Sequence, residues 1–279
     1  MDINYRPLIF LYKHFRALVI GWIIAAGAVY ILYFNNLPVF HKYPALMLLY
    51  CFIVIPLPYA AVPTYARTLT GSIGRILFDD CDPAPYIGVY EHIIAGFKDM
   101  NQPRMLPDLQ ISLSSGLAAA GRYSEAYEIL KQFSISGSGR AKDISRVVYH
   151  NNLISVCLKL GLADEAEENL DLLIKAAAAL SPRDYNKYKR LHLSAQYGVN
   201  LARGVYDYSE KAFAELFEAS KNNCERAAAK FTLAKIYLHY GDTPRAKEAL
   251  EYVIVHGNKL YIVEEAKELI SKLRSDEPG

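Results

Sequence analysis

Two long apolar runs open the chain, and beyond about residue 100 the pattern changes to apolar positions recurring every three or four residues. Residues 17–34, ALVIGWIIAAGAVYILYF, carry no charge. At a helical rise of about 1.5 Å per residue they span roughly 27 Å, close to a bilayer core. Residues 44–65, PALMLLYCFIVIPLPYAAVPTY, are likewise uncharged, and Pro56, Pro58 and Pro63 predict kinks in their second half. Two transmembrane helices are the expectation. A cleaved signal peptide fits the first run poorly, because a polar and aromatic lead of 16 residues precedes it and no small-residue cleavage site comes before the next run. Arg6, Lys13 and Arg16 precede the first run, Arg67 and Arg75 follow the second, and Lys42 alone lies in the connection. Basic residues stay on the cytosolic side, so both termini are expected in the cytoplasm of a multi-pass cell-membrane protein, with residues 35–43 outside. Trp22, Tyr30, Tyr33, Tyr43 and Tyr65 read as anchors near the membrane–water interface.

The expected division is a membrane anchor over 1–66, a juxtamembrane segment and helix over 67–106, and a helical domain over 107–279. Residues 67–78, RTLTGSIGRILF, suit either an interfacial helix or a plain linker. Asp79, Asp80 and Asp82 lack the spacing of a calcium loop and read as a solvated helix start, with Asp82 as N-cap and Pro83 in the first turn of a helix through about Phe97.

In the remaining sequence one unit recurs: helix, glycine turn, second helix. It occurs as LSSGLAAAGRYSEAYEIL at 113–130, LISVCLKLGLADEAEENL at 153–170, QYGVNLARGVYDYSEKAFAEL at 196–216 and LAKIYLHYGDTPRAKEAL at 233–250. The turn glycines, Gly121, Gly161, Gly204 and Gly241, are separated by 40, 43 and 37 residues. Glycine permits the left-handed turn, and the small residue five positions later (Ala126, Ala166, Ala246) lets the two helices approach. The third unit departs, with Ser209 at that position and Ala212 three residues later, which predicts offset or longer helices.

This internal pattern resembles the tetratricopeptide repeat family, although the spacing exceeds that family's roughly 34 residues. The last unit carries the resemblance best, through Leu233, Ala234, Tyr237, Gly241, Asp242, Ala246 and Leu250, with Thr243 expected to cap the second helix and Pro244 in its first turn. The first unit matches at Leu113, Leu117, Gly121, Tyr123, Ala126 and Leu130, the second at Leu153, Gly161, Ala166 and Leu170. The implied fold class is all-α: two transmembrane helices followed by a tetratricopeptide-like α-solenoid, with KLYIVEEAKELISKL at 259–273 as a terminal capping helix.

Charge and chemistry narrow the function. The chain has 31 basic and 29 acidic residues, and this balance leaves no footprint for nucleic acid. Cys51, Cys81, Cys157 and Cys224 are far apart with no CxxC pair, which argues against a zinc or redox site and for reduced thiols. The seven histidines are scattered, and no phosphate loop, HExxH or nucleophile–base signature occurs. No catalytic, metal or cofactor site is expected, and the chain is not read as an enzyme. The resemblance implies a concave surface, formed by the first helix of each repeat, that binds a protein or peptide partner. Family positions carried onto this sequence place Asn151, Ser155, Lys159, Arg203, Phe231, Lys235 and His239 there. The family's clamp for a terminal carboxylate is incomplete, since Ile111 and Ser115 stand where Lys and Asn would be needed. The expectation is a scaffold or adaptor held in the lipid bilayer, with a subunit of an oligomeric membrane transport or export assembly as the alternative.

Overall fold

The structure, a computed structural model, describes residues 6–34, 44–99 and 105–275. The connection over 35–43, expected outside the membrane, lies beyond the described residues. Among the described residues the fold is all-α. The chain divides into two compact units, Met1–Ile73 and Gly74–Gly279.

In the first unit α1 (Arg6–Val29) continues into a π-helical turn (Tyr30–Phe34), followed by α2 (Pro44–Val54) and α3 (Leu57–Phe78), of which residues 57–73 belong to this unit. Lys13–Leu32 and Leu48–Phe78 are long and apolar enough to cross a membrane. The kink expected from the prolines is a break at residues 55–56, whereas α3 runs unbroken through Pro63 and on to Phe78, so that 67–78 is no separate element. The break has a local chemistry. Val54 would ordinarily receive a hydrogen bond from the N–H four residues on, but that residue is Pro58, which has none. The Trp22 indole N–H donates to the Val54 carbonyl instead, at 2.8 Å. Tyr50 similarly donates to the Ala26 carbonyl at 2.8 Å, where the π-turn ahead disturbs the helical ladder. Trp22, expected as an interfacial anchor, is thus engaged in satisfying backbone within the helix pair. Thr64, Thr68 and Thr70 donate their hydroxyls to carbonyls four residues back, so α3 carries polar side chains without leaving them open. Ile24, Leu32, Leu48 and Phe52 point outward, Phe52 being 81% exposed.

The second unit holds the repeated helix pairs. After α4 (Pro83–Asp99) come α5 (Leu106–Ala119) with α6 (Tyr123–Lys131), α7 (Arg140–Lys159) with α8 (Ala163–Ala178), α9 (Pro182–Ala202) with α10 (Ser209–Ala219), α11 (Asn223–His239) with α12 (Thr243–His256), and last α13 (Tyr261–Ser275). Each helix packs on its sequence neighbour. The four turns share one geometry: Gly121, Gly161, Gly204 and Gly241 have φ of 77°, 75°, 77° and 73°. In each, the N–H of the next residue donates to a carbonyl five positions back: Arg122 to Leu117, Leu162 to Cys157, Val205 to Asn200, Asp242 to Tyr237. That closure satisfies carbonyls the helix end would otherwise leave open. Ala126, Ala166 and Ala246 are fully buried in the seams, and Ser209 occupies the same place in the third.

One sequence expectation changes and another gains a second role. Asp242, not Thr243, caps α12, its carboxylate accepting the Arg245 N–H at 3.1 Å, with Thr243 the first helical residue. The acidic run at 79–82 leaves Asp79 and Asp80 exposed just ahead of the helix that starts at Pro83, as expected, and in addition forms a clasp. Asn223 and Asn258 donate to the Asp79 and Asp80 carbonyls at 2.7 Å, and Lys259 meets the Asp82 carboxylate at 2.5 Å. The turn between α12 and α13 is therefore tied to the segment ahead of α4, and the array closes back on its own beginning.

Candidate partner-binding surface

Asn151, Ser155 and Lys159 lie four residues apart on α7, and Phe231, Lys235 and His239 do so on α11, so each trio shares one helix face. The fold brings three of these residues together. Lys159 Nζ is 3.2 Å from both carboxylate oxygens of Glu265 on α13, and Lys235 Nζ is 3.7 Å from the same group. Beneath them lies the Phe231 ring, only 4% exposed, with Lys159 Nζ 5.4 Å and Lys235 Nζ 4.7 Å from its centroid. Tyr123 of α6 adds a second ring 5.5 Å from Lys159 Nζ and meets Tyr261 of α13 edge-on at 5.9 Å. An ammonium over an aromatic face is attracted by the ring quadrupole, so the rings position both lysines toward the carboxylate.

Two ammonium groups share one carboxylate, which leaves the surface cationic. Loss of hydration, followed by the like charge of Lys159, holds the Lys235 pKa below its ordinary value; Glu265 pulls it back up. About half of the Lys235 side chain still meets solvent. Burial, then the charge of Glu265, raises the Tyr123 phenol above its ordinary range.

The other sequence candidates stand apart from this cluster. Ser155 is exposed and donates to the Asn151 carbonyl at 3.0 Å, continuing the α7 face. His239 stacks on Tyr206 with centroids 3.6 Å apart and planes within 2°, which joins the third and fourth repeats. Arg203 reaches Asp164 and Glu167 of α8 at 2.6 Å and ties the second repeat to the third. Sequence reasoning missed Tyr123, Tyr261 and Glu265. Tyr261 and Glu265 share a face of a visibly amphipathic terminal helix, but its return to the first repeat is a tertiary event with no local signature.

A second cluster lies between α6, α7 and α8. Glu165 accepts from Tyr127 at 2.7 Å and from Lys131 at 2.9 Å, and His150 Nδ1 is 3.0 Å from the Asn169 side-chain oxygen. The Lys131 and Tyr127 bonds hold the Glu165 carboxyl below the usual range, while burial lowers His150. Lys131, His150, Glu165 and Asn169 border an open cleft of about 760 Å³, yet they pair with one another or with Tyr127 rather than converge on one point inside it. Burial raises the thiols of Cys81 and Cys157 to about 11 and that of Cys224 to about 12, so each stays protonated near neutrality. No known protein family, curated protein or solved structure matches this chain.

Proposed function

We propose that the chain is a scaffold of the tetratricopeptide-like kind, anchored in a cell membrane by its two apolar helices with both termini in the cytoplasm. It binds a protein partner through the surface built on Lys159, Phe231 and Lys235. The observation that carries this reading is the grip of two lysines, from the first helices of two repeats, on one carboxylate of an amphipathic helix. The protein's own α13 serves as template for the ligand the surface suits: a helix with an acidic residue beside its apolar face. The apolar residues exposed on α1 and α2 support a lipid environment, since monomeric soluble proteins seldom leave large contiguous apolar surface open.

Phe231 is too buried to be a clean probe, because its truncation also opens the core. The informative variant is Lys159→Glu with Lys235→Glu in the full chain, captured from detergent-solubilised membranes beside the unaltered protein. Partner proteins should be lost while far-UV circular dichroism stays the same; retention of every partner overturns the assigned surface. For orientation, a cysteine placed at Asn36 should be labelled from outside intact cells and one at Ser275 should not.

A further inference from the structure

The third repeat leaves a cleft unrelated to the lysine cluster. The first helices α5 and α7 pack together, as do α7 and α9, but α9 and α11 lack an extended contact of that kind. Between them opens a cavity of about 330 Å³, within the size range of small-molecule sites. Its walls are Leu191 of α9 and Ala228 and Ala229 of α11, and its floor is Phe213 and Leu216 of α10. At the rim stand two cations with different roles. Arg190 is engaged, donating to the Ala219 carbonyl at 2.5 Å and lying 3.5 Å from the Glu225 carboxylate. Lys187 is exposed over the ring of its neighbour Tyr188 at 5.1 Å, and no carboxylate pairs with it among the described residues.

We infer that this cleft is a binding site for a small amphiphile with one aliphatic chain and a carboxylate head, the chain on Phe213 and Leu216 and the head at Lys187. Most of the accessible lining is apolar and matches a hydrocarbon chain, with Ser194, Ser220 and Thr232 interspersed and Glu225 held by Arg190. A single unpaired ammonium at the mouth matches one negative charge and disfavours a cationic head. The site goes beyond the scaffold reading and shares none of the residues assigned to the partner surface.

The test uses the full chain in phosphatidylcholine nanodiscs and a decanoate bearing a terminal diazirine as probe. After irradiation, mass spectrometry should find label on peptides containing Leu191, Phe213 or Leu216. Unlabelled decanoate should compete and decyltrimethylammonium should not. Ala228→Trp, a change at an exposed lining position, should abolish this label by filling the cleft, and Lys187→Glu should reduce it roughly fivefold or more, as loss and reversal of one exposed ion pair implies. Circular dichroism and thermal unfolding confirm that both variants are folded. Label confined to α1–α3, label insensitive to both variants, or equal competition by the cationic amphiphile overturns the site. Lysine-cluster variants that lose protein partners but keep this label would separate it from the partner surface.

Discussion

The third and fourth repeats are built on the same turn yet differ in how their helices meet. In the fourth, Ala246 and Leu250 are fully buried, Asp242 caps α12, and Arg245 links that cap to Glu210 of the preceding repeat at 2.7 Å. In the third, the seam position is Ser209, whose buried hydroxyl has no hydrogen-bond partner among the described residues. The residue before α10 is Tyr208, 80% exposed, left-handed at φ 61° and without a side-chain cap. Turn geometry alone therefore does not specify a tight repeat. α9 and α10 meet less extensively than the helices of the other three pairs, whereas α8, which also lacks a side-chain cap, packs closely on α7 with Ala166 in its seam.

Cutting into the two seams should break the comparison most sharply. Leu250→Ala is expected to cost about 3–5 kcal/mol, because a fully enclosed site cannot collapse, while Leu216→Ala, bordering the cleft, should cost nearer 2 kcal/mol. Equal losses in urea unfolding followed by circular dichroism would deny the difference in packing. The turns should show the opposite behaviour. Gly204→Val and Gly241→Val should each cost about 1–2 kcal/mol, since a side chain at either glycine meets only backbone strain. Gly121→Val should cost more than either, because its added carbon collides with the Tyr261 ring. Removal of the α12 cap by Asp242→Ala should lower stability by about 1 kcal/mol. Tyr208→Asn should raise it by roughly 0.5–1 kcal/mol, asparagine being more tolerant of left-handed backbone. The smallest effect belongs to Ser209→Ala, expected to be neutral or slightly stabilising because it removes an unpaired buried hydroxyl and restores the seam alanine. A loss of 1 kcal/mol or more in thermal unfolding would show that the hydroxyl has a partner.

The repeat architecture was legible because glycine at positive φ and alanine in a seam are local requirements, met at Gly121, Gly161 and Gly241 and at the alanines five residues on. The weakness of the third unit was legible too, from Ser209. Asp242 and Thr243 are both good caps at adjacent positions, so propensity could not choose between them and the turn geometry did. The proline-rich second run announced a kink but not its partner, since Trp22 finds Val54 across 32 residues. The candidate surface was half legible: spacing placed Lys159 and Lys235 on their helix faces, while Glu265 is supplied from 106 residues beyond Lys159.

The return of α13 to the first repeats also changes how the domain folds. Open repeat arrays are nearly one-dimensional, each unit feeling only its neighbours, and they can fray from either end. Here Lys259 bonds to Asp82 and Tyr261 meets Tyr123, pairs far apart in sequence. Such links raise the contact order and delay completion of the fold until the last helix has been made. In exchange the two ends protect each other, so the array should unfold in one cooperative step, and deletion of α13 should loosen the first repeat as much as the last.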